Sequence, residues 1–287
     1  MAAAAKKEES KELVNQQTGE VMTQEQAYAG YADDLGAGTE NMTSEDVGIP
    51  WLALMQPLSP EVQTEGSEVK AGMWINRGSG EVFVMGAIFV PALTQHEFVE
   101  WSSKDPSGAA PVARHAIDSD VVVRVRRDQP FGEYTHPDNP EHPLVETFTV
   151  FGINVNEEGI GIPSVVAFSS THIRAYKDFV LRARSIVIPL PNGQKITNLP
   201  LFSHKYRFTS KRIEKRPHTW WIPQISFADP AGAEKSRLLP TDVLYQQAKQ
   251  LREAINAGTA KAAAPTRAEA GDAPLNKGDV DSEQAPY

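Results

Sequence analysis

The chain has 287 residues, 40% of them hydrophobic, a formal charge of −9 and no cysteine. That size suits one large domain or two small ones, and the lack of cysteine excludes disulfides, thiolate zinc sites and cysteine nucleophiles, leaving His, Asp and Glu as metal or acid–base candidates. With no apolar run of about 18 residues and no secretory signal at Met1, a soluble, cytoplasmic protein without a membrane partner is expected.

Residues 1–46 hold three Lys against ten Asp or Glu, and this composition predicts a disordered acidic arm. Thr23 and Gln26 have the spacing of a helix cap for a short segment ending near Leu35. The folded part is expected to open at Ile49, where IPWLALMQPLSPEV reads as a strand stopped by Pro57 and Pro60. Trp74–Asn76 and Glu81–Val84 then flank Arg77-Gly78-Ser79-Gly80. The glycines fit a tight hairpin turn better than a phosphate cradle, because no helix follows them.

The second arm continues through Gly86 to Pro91, and His96–Trp101 alternates as a half-exposed strand. Ser102 to Ala116 reads as a long loop and Val121–Arg126 as another strand. Gln129 to Pro143 contains four prolines together with His136, Asp138, Glu141 and His142. Two His with two carboxylates imitate a metal cluster, but the prolines break any helix that would converge them, so a solvated loop is the reading and no metal site is assigned. Glu146–Val155 and Ser164–Phe168 read as strands joined by the turn Asn156 to Gly159.

The next stretch carries the functional signal. From His172 to Trp221 there are eleven Lys or Arg against two acids, a net +9, whereas the rest of the chain holds 17 basic and 35 acidic residues. Ser169 or Ser170 caps a helix whose apolar face is Ile173, Tyr176, Phe179, Val180 and Ala183, with Arg174, Lys177 and Arg184 opposite and Arg182 at the flank. Ile186–Leu190 is a short strand, Leu201–Thr209 alternates Lys205, Tyr206, Arg207 and Phe208, and Lys211 to Pro217 reads as a basic loop before the strand Thr219–Phe227. Cations track phosphates and aromatic faces stack on unpaired bases. The candidate nucleic-acid contacts are Arg174, Lys177, Arg184, Lys205, Tyr206, Arg207, Lys211, Arg212, Lys215, Arg216 and Trp220. Consecutive strand residues face opposite ways, so only one of Trp220 and Trp221 is available to a ligand. A helix from Pro240 to about Asn256, with the stripe Val243, Leu244, Ala248, Leu251 and Ile255, precedes Gly258 and a disordered acidic tail, 259–287.

No catalytic constellation is evident. Glu68-Val69-Lys70 imitates part of a metal-dependent nuclease core, but the Pro137-Asp138 pair that should precede it comes later. Walker, Gly-x-Ser-x-Gly and His-Glu-x-x-His patterns are missing. No enzyme activity and no cofactor are expected.

Three stretches, IPWLALMQPLSPEV with the hairpin GMWINRGSGEVF, SVVAFSSTHIRAYKDFVLRAR, and LPLFSHKYRFTS, resemble a family of bacteriophage single-stranded DNA-binding proteins over roughly Ile49 to Phe227. The resemblance implies an OB-like β-barrel and a non-catalytic role coating DNA in the host cytoplasm during phage replication or recombination. The tail, with Asp279, Asp281, Glu283 and terminal Tyr287, resembles the acidic segments through which such proteins meet replication or recombination partners. The expected architecture is mainly β, an OB-like barrel with extra strands and two helices over residues 47–258. Homo-oligomerisation, and DNA against RNA, stay open. The alternative is a virion or scaffold protein whose basic patch binds an acidic protein surface.

Overall fold

The structure is a computed structural model that describes Leu13–Val14, Val21–Met22 and residues 48–102 and 111–263. The chain divides into two compact units, Met1–Asp46 and Val47–Tyr287. In the first, β1 (Leu13–Val14) pairs antiparallel with β2 (Val21–Met22). The expected disordered arm, the helix near Leu35 and the tail beyond residue 263 otherwise lie outside the described residues.

The second unit is built on an antiparallel sheet in the order β10 (Gly161–Ser169), β9 (Asn139–Val155), β6 (Ala87–Glu100), β13 (Tyr206–Lys215) and β14 (His218–Phe227). Two short strands join it, β7 (Ala113–Ala116) on β6 and β8 (Thr135–His136) on β9. The mainly β expectation holds. Among the described residues no pairing links β10 to β14, so the sheet stays open and the OB-like barrel is not formed.

Both faces are buried over the first half of β6 and the paired parts of β9 and β10, which explains why these strands read as continuous apolar runs. Phe89, Phe148, Val150, Val166 and Phe168 point into one core with Tyr206 and Phe208. Their strand neighbours Val90, Phe151, Ile153, Val165 and Ala167 point into the other. Helix α3 (Ile173–Arg184) closes the first core with Tyr176, Phe179 and Ala183, the first two of which were expected on its apolar face along with the third. It begins through a 3₁₀ turn, Ser170–His172, and neither Ser169 nor Ser170 makes the expected capping bond. Helix α5 (Val243–Asn256) closes the second core with Ala248 and Leu251, while Val243, expected in its stripe, is exposed. Burial of each such aromatic or branched side chain contributes roughly 1.5–3 kcal/mol.

A three-stranded sheet, β3 (Leu52–Leu54), β4 (Trp74–Asn76) and β5 (Val82–Phe83), contains the expected hairpin. Fully buried Asn76 ties it to the large sheet, donating to Asn154 Oδ1 at 3.1 Å and Ser164 Oγ at 2.9 Å. Its own Oδ1 accepts from the Gly78 amide at 3.0 Å, so one side chain sets both the turn and the docking. Residues 259–263, expected in the tail, belong to the fold. Ile49 and Ala262 form a parallel bridge, and Trp51 Nε1 donates to Ala263 O at 3.0 Å.

Several elements differ from expectation. Val121–Arg126 is not a strand but part of helix α2 (Asp120–Asp128), because Ser119 Oγ accepts from the Val122 amide and Val122 and Val125, one turn apart, are both fully buried. The two strands expected on either side of Pro91 are one, since a register shift between Pro91 and Leu93 absorbs the missing donor. The long loop after Ser102 ends in β7, which pairs with the end of β6. The proline-rich loop likewise contains β8 and the start of β9. The short helices α1 (Pro60–Gln63) and α4 (Ala233–Ser236) complete the second unit together with the small β11 (Ile188–Pro189) and β12 (Lys195–Ile196) pair.

Candidate nucleic-acid interface

Lys211 to Lys215 is not a loop. β13 pairs with β14 residue for residue from Tyr206↔Phe227 to Lys215↔His218, and the reversal occurs at Arg216-Pro217. Long cationic side chains do not oppose strand formation when one face is solvated, which is why the charge run concealed a hairpin. β13 meets β6 only through Tyr206–Phe208, so the rest of the hairpin extends past β6 as a two-stranded ribbon.

The register sorts its side chains into two faces. On the inner face lie Tyr206, Phe208, Ser210, Arg212 and Glu214, with Phe227, Ile225, Pro223, Trp221 and Thr219 opposite. Tyr206 is 1% exposed, with its ring stacked on Phe227 at 5.5 Å and edge-on to Phe179 at 5.0 Å. Burial pushes its hydroxyl above the usual phenol range, against the opposing charge of Arg182. Tyr206 is therefore a core residue, and the stacking role expected for it is withdrawn. Trp221 is committed as well. Its ring lies over Gly72, and its backbone is held by the Gln56 side chain through two 2.9 Å bonds. Arg212 pairs with Glu214 on the same face.

The outer face carries Arg207, Thr209, Lys211, Ile213 and Lys215 across from Ser226, Gln224, Ile222, Trp220 and His218. Trp220 sits directly opposite Ile213, with Lys211 and Lys215 on its two diagonals. The Trp220 ring is half-buried, and its indole N–H is buried without a hydrogen-bond partner among the described residues. Lys211, Lys215 and turn residue Arg216 are exposed, whereas Arg207 is half-buried with a 3.4 Å contact to Ala228 O. This brings an aromatic ring and four cations onto one ribbon.

The helical cations are elsewhere. α3 packs on the inner face through Phe179 and Tyr206, and Arg174, Lys177 and Arg184 are exposed on its far side. Those three and the ribbon's Arg207, Lys211 and Lys215 therefore occupy opposite sides of the same two strands. Arg182 donates to Ile225 O and serves the fold. Lys205 is half-buried, with its amide bonded to Ser236 O at 2.8 Å. The expected site thus separates into an outer ribbon face and a helix face, and what hid this from sequence was the hairpin register.

One family model, of the Pam3 phage gp34-like protein, matches residues 16–261. The chain belongs to this phage protein family. Searches of curated proteins and of solved structures found no match. The family match spans both units and the whole ribbon. Among the described residues no helix is long and apolar enough to cross a membrane.

Proposed function

We propose that this member of the gp34-like family is a non-catalytic single-stranded DNA-binding protein that coats DNA during phage replication or recombination. The observation that carries the reading is the outer ribbon face, where Trp220 lies between the diagonals of Lys211 and Lys215 with Arg207 and Arg216 on the same hairpin. A half-exposed ring supplies a surface for an unpaired base, and flanking cations supply phosphate contacts about one nucleotide away. Duplex DNA keeps its bases stacked inside, so the ring contributes only with single strands. The helix cations lie on the other side of the strands and give a second phosphate track without an aromatic partner.

The deciding experiment is fluorescence anisotropy with a labelled single-stranded oligonucleotide, the matching duplex and heparin. Tighter binding to the single strand than to duplex or heparin is expected. Equal binding to all three supports instead an assembly protein that uses its cations against an acidic protein surface.

A further inference from the structure

At the far end of the sheet from the ribbon, four side chains separated in sequence converge. Glu100 ends β6, His115 lies on β7, His136 on β8 and His142 near the start of β9. Glu100 is 6% exposed, with Oε2 2.7 Å from His115 Nε2 and Oε1 2.6 Å from His142 Nδ1. The rings of His115 and His136 are 5.8 Å apart between centroids. One donor atom from each of Glu100, His115 and His136 lies within 4.8 Å of the other two.

The geometry points to a divalent transition-metal site of the zinc class, with Glu100, His115 and His136 as ligands and His142 holding the carboxylate from behind. Two imidazoles and a carboxylate are a donor set that zinc accepts, with a fourth position left to water. Tetrahedral zinc at about 2.0–2.1 Å from each donor separates them by about 3.4 Å. The 2.7 Å contact therefore opens by less than an ångström and the wider spacings contract. His136 Nδ1 accepts from the Asp138 amide at 3.3 Å, so Nε2 is the nitrogen it offers to an ion. Metal at Nε2 moves the ring proton to Nδ1 and ends that long contact.

Such an ion cross-links β7 and β8 to β6. The region it would clasp contains helix α2 and a separate small core of Phe98, Val122, Val125 and Leu144. A cluster of four residues is a small core for this much chain, and a metal ligated across three strands supplies stability that it lacks. The expectation of no metal ligand in the proline-rich loop is revised accordingly: β8 and β9 give His136 and His142 the scaffold that the prolines alone deny them.

The test uses the untagged full chain, stripped with chelator and titrated with zinc chloride by calorimetry, alongside thermal unfolding with and without zinc. One ion per chain and a zinc-dependent rise in Tm are expected. His136→Gln should weaken binding at least tenfold and remove the Tm rise, while leaving Tm in chelator unchanged because both Glu100 contacts remain. His142→Gln should weaken binding by 10- to 100-fold, the usual consequence of losing a partner behind a ligand. His96→Gln, remote from the cluster and paired with Glu146, should bind zinc as the native chain does. Absence of saturable binding to the native chain overturns the proposal, and so does one-site binding that survives both His136→Gln and His115→Gln.

Discussion

His172 Nε2 lies 3.1 Å from the carbonyl oxygen of Trp221, so a ring at the start of α3 satisfies a backbone group on the free edge of β14. Neighbouring positions on that edge are covered in a similar manner. The Gln56 amide bonds both the N–H and the C=O of Trp221, Pro223 has no N–H to offer at the next outward position, and Arg182 donates to Ile225 O. An open edge strand invites pairing with another chain, and side chains that occupy its polar groups prevent it.

One ring on this edge, His172, and a second buried ring away from it, His204, make stability sensitive to acid. Burial lowers the pKa of His172 from 6.5 to about 4, against a raising contribution from the Trp221 carbonyl, and burial with the Arg237 charge lowers His204 to about 4 as well. Both rings are neutral when folded near neutral pH. Between pH 6.5 and 4 the unfolded chain binds protons that the folded chain does not, so stability is full above 6.5, falls through this window and is lost below 4. Each ring should cost about 2 kcal/mol between pH 7.5 and pH 5. Urea unfolding at the two pH values measures this, and His172→Gln should remove roughly half of the difference.

Gln56→Ala leaves the outward N–H of Trp221 without its partner in a half-buried setting. The expected loss is about 1–3 kcal/mol, read from the urea midpoint, with a rise in self-association by light scattering as the edge opens. A variant that keeps the native midpoint and stays monodisperse would show that Gln56 is incidental to the edge.

Gly72 tests the packing of Trp221. Its φ is +93°, and an added Cβ would stand 2.6 Å from Trp221 Cε3. Gly66 has φ +78° with nothing within 4 Å of an added Cβ. Gly66→Ala should therefore cost only the backbone penalty of about 1–2 kcal/mol, while Gly72→Ala adds displacement of the indole and costs about 1–3 kcal/mol more. Equal midpoints for the two variants would mean that the Trp221 ring is free to move.

Much of this fold was legible because local signals agreed with tertiary ones. The Arg77–Gly80 hairpin, the Asn156–Gly159 turn and the buried face of α3 all combined turn chemistry or periodicity with burial. Where they conflicted, tertiary structure won. Val121-Val122-Val123 has the β-branched character of a strand, yet the Ser119 cap and the one-turn spacing of Val122 and Val125 make it helical. Tyr206 looked like a stacking ring because its neighbours are cationic, but alternation along β13 sends Arg207 outward and Tyr206 into the core. The Glu100 cluster was legible only in part: His136 and His142 stood out beside carboxylates in the proline-rich stretch, but nothing there tied them to Glu100 or His115. Its members lie 15, 36 and 42 residues apart from Glu100 along the chain, and only the pairing of β7 and β8 with the sheet unites them.

The two cationic surfaces give the sharpest test of the proposed DNA binding. If the outer ribbon is the site, Lys211→Glu, Lys215→Glu and Arg216→Glu together should abolish binding of a single-stranded oligonucleotide, because three attractive phosphate contacts become repulsive. Arg174→Glu, Lys177→Glu and Arg184→Glu together make the same charge change on the far side and should preserve most of the affinity. Both triples alter exposed positions, so circular dichroism and urea midpoints should stay close to native. Trp220→Ala should weaken single-strand binding by roughly 1–3 kcal/mol, the usual contribution of base–aromatic stacking, and leave duplex binding unchanged. Its salt response separates the two contributions. Four ribbon cations predict a slope of log K against log salt of about −3, from about −0.7 per phosphate on single strands, and removing the ring should lower affinity at every salt concentration without altering that slope. If the helix triple abolishes binding while the ribbon triple spares it, the phosphate track belongs to α3 and Trp220 is only a packing residue.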